Sequence, residues 1–168
     1  MDLYSFNVAA NAKGTVGLQN ITFGLAWSDT GASASSSLGT FLLYRGSTNI
    51  TSNITASAAT VTAGVSALSF AFDTEEEIGA GTSLVYKLRA TPANFDAAIS
   101  TQGADTLSIY LMDDASHVTS ATSGAAAVDA EMFVWSDQSE LGHALTTTDW
   151  TGGYLVTDLP LGAQTWQR

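Results

Sequence analysis

Cysteine is absent from all 168 residues, which removes disulfides, thiolate nucleophiles and cysteine-ligated zinc together. Basic charge is scarce: five Lys and Arg stand against 16 Asp and Glu, a formal net charge of −11. Those five, Lys13, Arg45, Lys87, Arg89 and Arg168, are scattered along the chain. Phosphate recognition requires them clustered, so the sequence argues against a nucleic-acid partner and against an anionic membrane surface. Long apolar runs are missing as well, so no segment is expected to insert into a bilayer. Residues 2–11 alternate and carry no basic start followed by an apolar core, so a signal peptide is expected to lie outside this sequence. Only 12% of the residues are charged, which leaves Ser, Thr, Asn and Gln to make the polar surface. The acidity reads as a solubility device. The composition is that of extracellular β-rich proteins, and an extracellular or cell-surface location is expected.

What is present is a rhythm. Ile21, Phe23, Leu25 and Trp27 share one parity, as do Leu68, Phe70 and Phe72, then Leu84, Tyr86 and Leu88, then Leu107, Ile109 and Leu111. Side chains on a strand point alternately to opposite faces, so this period of two predicts strands with one buried face. A domain of this length buries about two-thirds of the surface its unfolded chain would expose and needs no covalent staple.

Segment by segment, 3–10 reads as a strand with Tyr4, Phe6 and Val8 on one face. Residues 16–27 read as a long strand whose parity changes between Leu18 and Ile21, as a β-bulge would cause. The nearly solid apolar run 38–45 fits a strand covered on both faces or one in the centre of a sheet. Residues 48–62 predict one or two edge strands, and 65–72 a strand ended by an acidic turn at 73–77. Strand 83–90 puts Val85, Lys87 and Arg89 outside, and Pro92 is expected to close it. A short helical turn is allowed only at 93–103, around Phe95 and Ile99. Strands follow at 106–112 and 131–136. Residues 137–168 read as an irregular segment anchored by Trp150, Tyr154, Leu159 and Trp166. Roughly eight to ten short strands with almost no helix predict one all-β domain over 1–168, a two-layer antiparallel β-sandwich of the immunoglobulin-like kind, with a jelly roll as the alternative.

Particular stretches carry a resemblance. Leu42-Leu43-Tyr44-Arg45-Gly46-Ser47-Thr48 with Asn49-Ile50-Thr51-Ser52, and Ile78-Gly79-Ala80-Gly81-Thr82-Ser83 leading into Tyr86-Lys87-Leu88-Arg89-Ala90-Thr91, resemble the β-sandwich repeats of large secreted surface proteins from bacteria of the candidate phyla radiation. Phe133-Val134-Trp135-Ser136-Asp137, Asp149-Trp150-Thr151-Gly152-Gly153-Tyr154-Leu155-Val156 and Leu159-Pro160 are similar to a closing segment of those proteins. The resemblance implies a surface-layer or adhesion module and brings no catalytic residues.

Candidate chemistry is thin. His117 and His143 are the only histidines, both in polar loops, and no G-x-S-x-G elbow accompanies them. A glycosidase pair drawn from Glu131, Glu140 or Glu75–Glu77 would need a carboxyl raised by an apolar pocket, whereas these positions read as turns and strand ends where water keeps them ionised. Asp113 and Asp114, brought near Asp137 or Asp149, would supply the hard oxygen ligands of a loop-end calcium site, although turns attract Asp in any case. An isopeptide crosslink needs a buried neutral lysine, and Lys87 has outward parity while Lys13 lies in a glycine turn. The Asn-x-Thr sequons at Asn20, Asn49 and Asn53 read as Thr-rich strands. No cofactor and no catalytic or metal-binding residue is assigned. The expected function is a structural or adhesive module that contacts neighbouring domains, further copies of itself or a surface, with edge strands 3–10 or 49–62 open to strand addition. The alternative is a carbohydrate-binding module using Trp27, Trp135, Trp150 and Trp166.

Overall fold

The structure, a computed structural model, describes all residues except 32–33, 100–101, 121–123, 129–130 and 155. Among these, the strands are β1 (Asp2–Ala9), β2 (Val16–Ser28), β3 (Ser37–Arg45), β4 (Thr48–Asn49), β5 (Ile54–Ala56), β6 (Thr60–Thr62), β7 (Ala67–Ile78), β8 (Ser83–Ala93), β9 (Thr106–Leu111), β10 (Phe133–Ser136), β11 (Trp150–Gly152) and β12 (Gln164–Gln167). One sheet has the order β1-β8-β3-β4, with β6 also on β3. The other runs β11-β10-β2-β7-β5, with β9 also on β2 and β12 on β9. Every pairing is antiparallel. The two sheets pack face to face as an all-β sandwich.

Alternation builds the core as the sequence predicts. Ile21, Phe23, Phe70, Tyr86, Leu88, Leu107 and Ile109 are fully buried. Aromatic edges meet across the layers: Phe23 of one sheet touches Tyr4 and Phe6 of the other at ring-centroid distances of 5.7 and 5.8 Å, and Phe70 meets Phe41 at 5.9 Å. Such T-shaped contacts add to the area the rings bury.

β2 organises the larger sheet. Its bulge lies where parity changes, with Leu18 opposite Glu76 and Asn20 opposite Ala71. Along its other edge, β9 pairs with Phe23–Ser28 and β10 with Gly17–Ile21, both in the same direction. β9 and β10 are therefore two halves of one strand, interrupted by the excursion 112–132. Two buried aspartates flank β9. Asp105 accepts N–H from Thr30, Gly31 and Asp96 at 2.8, 3.0 and 2.7 Å, and the Ser36 hydroxyl at 3.1 Å. Asp114 accepts N–H from Met132, Phe133 and Gly153 at 2.5, 3.2 and 2.5 Å. Each ties the loops at its end of the sandwich together.

Several local expectations are corrected. The acidic stretch 73–77 is not a turn, because β7 continues through it by bulging. Gln19 Nε2 donates to Phe72 O at 2.7 Å and Asn53 clasps the backbone of Thr74, which holds the extra residues in place. Pro92 does not end β8, which runs to Ala93. The even residues of β8 face β1, and β1 begins only opposite Arg89 and Ala90, so the missing N–H of Pro92 breaks no ladder bond. β3 is an inner strand, but its solid apolar run reflects a bulge at Thr40, φ +53°, which keeps both Leu38 and Leu43 facing inward. Residues 48–62 hold three short strands and a 3-10 turn at Thr51–Asn53, with β4 and β6 in one sheet and β5 in the other. No helix forms among the described residues of 93–103, where Ile99 and Gln102 bridge instead. A 3-10 turn forms at Gly124–Ala127. The tail contains strands β11 and β12, and Tyr154 is exposed rather than an anchor.

Candidate functional site

β1 is the edge strand of the smaller sheet, and the bonds of its neighbours show which groups are free. Ala10 donates its N–H to Thr82 O, so the even residues of β1 pair with β8 and the odd ones turn outward. At Ser5 that outward edge is already occupied: the Gln164 amide accepts the Ser5 N–H at 3.2 Å and donates to Ser5 O at 2.8 Å. One side chain thereby imitates a neighbouring strand. Tyr4 Oη donates to Gly162 O at 2.8 Å alongside it. Beyond this seal the chain diverges, and no strand pairs with Asn7 or Ala9 on that side among the described residues.

The open half borders a groove of about 680 Å³ lined largely by apolar side chains, including Leu18, Leu111, Phe133, Trp135, Leu159 and Leu161, with Thr157 and Asp158 among them. It exists because the larger sheet continues past β2 with β10, while the smaller sheet stops at β1. A second recess of about 690 Å³ continues from it, sharing Asn11, Val16 and Trp135 and bounded by Lys13 and residues 137–139. Trp135 is half-buried where the two meet. Its indole N–H is buried without a partner among the described residues.

Ionisable groups gather beside this end of the sandwich in two places. Alternation along β7 sends consecutive glutamates in opposite directions. Glu76 turns into the core, where it accepts from Arg45 at 2.8 Å and from the Tyr86 hydroxyl at 2.9 Å. Burial, and then the charge of Glu76, push the Tyr86 phenol up. Glu75 turns outward and meets the imidazole of His143, Oε2 to Nε2 at 2.7 Å, while His143 Nδ1 lies 2.8 Å from Asp149 Oδ2. The imidazole is 13% exposed and packs against Trp150 at 5.2 Å.

The sequence's candidate residues fall as follows. His117 is exposed. His143 is engaged on both ring nitrogens, which leaves it no free nitrogen to activate a nucleophile. Asp113 caps the N–H of Asp114 at 2.8 Å, and Asp137 that of Ser139 at 3.1 Å. Asp114 spends its oxygens on backbone N–H groups and Asp149 on His143 and Thr147. Among the described residues no group of three or more carboxylates and histidines is arranged to hold a metal. Glu131 is not a water-kept carboxylate: burial, and then its hydrogen bond to Asp114, raise its pKa. Glu140 accepts from Thr148 at 2.8 Å. Lys87 lies on the surface 3.1 Å from Asp2. Asn20 is buried and donates to Glu131 O at 2.8 Å. Asn49 and Asn53 cap local turns and strands.

Of the tryptophans, Trp150 is fully buried. Trp27 and Trp166 both lean on Phe95, at interplanar angles of 28° and 86°, so their indoles are far from coplanar. Sequence reasoning missed the His143 cluster, in which Glu75 and Asp149 lie 68 and six residues from the histidine, because it read 73–77 as a turn, whereas β7 runs through it and presents Glu75 on its outer face. Compared with family models, with curated proteins and with solved structures, the chain matches none.

Proposed function

We propose that this domain is a structural, non-catalytic module of a bacterial cell-surface or extracellular protein, and that it joins a further copy of itself by antiparallel pairing of the open halves of β1 about a two-fold axis. The observation that carries this reading is the contrast among the sheet edges. β4, β5, β6, β11 and β12 are two to four residues long, which is one way proteins blunt an edge. β1 has eight residues, and its open half, with Ala10 and Asn11 that follow it, contains no charge and no proline to guard it. Outward N–H and C=O groups at Asn7 and Ala9 are self-complementary across such an axis. The partner strand would also cover the groove over Phe133 and Trp135.

A glycan platform is less well supported, because stacking sugar rings requires coplanar exposed aromatics, whereas Trp150 is buried and Trp27 and Trp166 are steeply inclined.

Sedimentation of the whole chain at increasing concentration tests the assembly. The expected result is a monomer–dimer equilibrium that Asn7→Pro abolishes with the circular dichroism unchanged, since the N–H it removes bonds no strand within the domain. A wild-type chain that stays monomeric at roughly millimolar concentration, where even a weak contact of about 4 kcal/mol is half-populated, overturns the reading.

A further inference from the structure

The segment 137–149 has almost no regular structure, yet it forms the 137–139 wall of the recess beside β1. Its attachments to the sandwich are polar. Gln138 Nε2 donates to Glu75 Oε1 at 2.7 Å, and His143 lies between Glu75 and Asp149. Thr147 Oγ1 bonds Asp149 Oδ1 at 2.6 Å, and the Trp150 indole N–H donates to Ala144 O at 3.0 Å. With a carboxylate on each ring nitrogen, the geometry is satisfied on both sides only by the doubly protonated imidazolium. A neutral ring has one N–H and must turn a lone pair toward the other carboxylate.

We propose that Glu75, His143 and Asp149 form a protonation-operated latch that fixes segment 137–149, and with it the wall of the recess, while the imidazole is charged, and loosens it when the imidazole loses its proton. The consequence for strand pairing rests on the function proposed above; the latch itself does not. The charged groups that face it are Glu75 and Glu77 from β7, the latter 3.4 Å from Gln138 Nε2, and Glu140 and Asp149 from the segment itself, whose backbone and side chain meet at 3.3 Å. Asp137 begins the segment, and Lys13 lines the recess across from it. The immediate neighbours are thus carboxylates, and they hold the proton on the ring.

Burial alone would lower the imidazole pKa, but the hydrogen bonds to Glu75 and Asp149 outweigh it and raise the value. The sign follows by linkage: the stabilisation is complete below the free-imidazole value of about 6.5 and is lost as pH rises through the higher folded value. On the Asp149 side the contact persists into acid: burial would raise that carboxyl, but its bonds to Thr147 and Glu140 hold it down at about 2.

NMR of the whole chain tests the latch. The His143 ring should titrate above about 6.5, and protection of the Trp150 indole N–H, relative to free tryptophan, should fall across the same transition. Each unit by which the midpoint is raised corresponds to about a tenfold loss of protection. Glu75→Gln should lower the midpoint. His143→Gln should remove the pH dependence without lowering the melting temperature of the sandwich. A wild-type midpoint at or below about 6.5, or indole protection indifferent to the titration of His143, overturns the proposal. Sedimentation of the wild type at about pH 6 and about pH 9, either side of the imidazole transition, separates the two readings: the expected titration in a chain that remains monomeric removes strand pairing and leaves the latch.

Discussion

The molecule has two apolar cores, and they are held together differently. The main core lies between the sheets, where Phe23, Phe70, Tyr86 and many aliphatic residues are fully buried. The smaller one lies on the outer face of β10 and β11, where Ala125, Val128, Val134 and Trp150 are packed with Val118. With only four buried residues the smaller core has little hydrocarbon to draw on, and polar clasps stand beside it: Asp114 on three backbone N–H groups and His143 between two carboxylates. A hydrocarbon core is insensitive to pH, whereas a clasped one inherits the titration of its clasps.

Truncation separates the two most sharply. Phe23→Ala should destabilise the whole domain by about 4 kcal/mol, the range for a large buried aromatic, with strand circular dichroism and every protected amide lost in one transition. Trp150→Ala removes a side chain of similar burial. Its effect on global stability should be smaller, capped by the free energy of opening the outer core alone, and hydrogen exchange should rise in 137–152 while β2 and β7 stay protected. Comparable loss of global stability in the two variants would show that the cores unfold as one.

Asp114→Ala leaves the N–H groups of Met132, Phe133 and Gly153 without their acceptor. A loss of about 3 kcal/mol is expected, confined by the same exchange measurement to the outer core. Asp105 extends the comparison to the opposite end of the sandwich. Hydrogen bonds from Asp96, and then those from Thr30, Gly31 and Ser36, lower its pKa against the cost of burial. Its contribution is therefore present above the unfolded value of about 3.9 and is lost as pH falls through the lower folded value. Loops 29–36 and 94–105 should loosen in acid and 137–149 in alkali, and amide exchange against pH distinguishes the two ends. The smallest effect is expected for Lys87→Ala, which breaks an exposed pair with Asp2 and should change stability by at most about 1 kcal/mol.

The sandwich was legible in the sequence because strand alternation is local: each parity class from Ile21 to Leu111 faces the core as read, with Trp27 and Leu84 partly buried at its margin. The bulge in β2 was legible for the same reason, since it shifts parity within a few residues. What escaped had non-local causes. Glu75 and Glu76 look alike in an acidic run that reads as a turn; because β7 instead runs on through it, clasped by Gln19 and Asn53, strand alternation sends one to His143 and the other to Arg45 and Tyr86. Pro92 marks the end of a strand in sequence terms, but it stands where β1 no longer reaches. Nothing near His143 indicates that one of its partners, Glu75, comes from 68 residues away. The open half of β1 was half legible: the edge was foreseen, but the seal by Gln164 and the groove beside it depend on where the tail returns.

Gly24 gives a further instance of non-local pairing, since a Cβ there would collide with the Tyr110 ring that lies across it; the aromatic fills the place that glycine leaves vacant.

The gap between β9 and β10 has a consequence for how this architecture tolerates change. Both halves stay in ladder with β2, and Asp114 clasps the far end of the detour at Met132 and Phe133; between its ends the detour meets β11, where Thr119 bridges Thr151, and packs Ala125 and Val128 on Val134 and Trp150. An insertion into the detour therefore leaves the ladders of β9 and β10 with β2 in place and is felt first by the outer core and by the bridge to β11, which makes the detour, and not the sheet, the natural place to seek variation among domains of similar build.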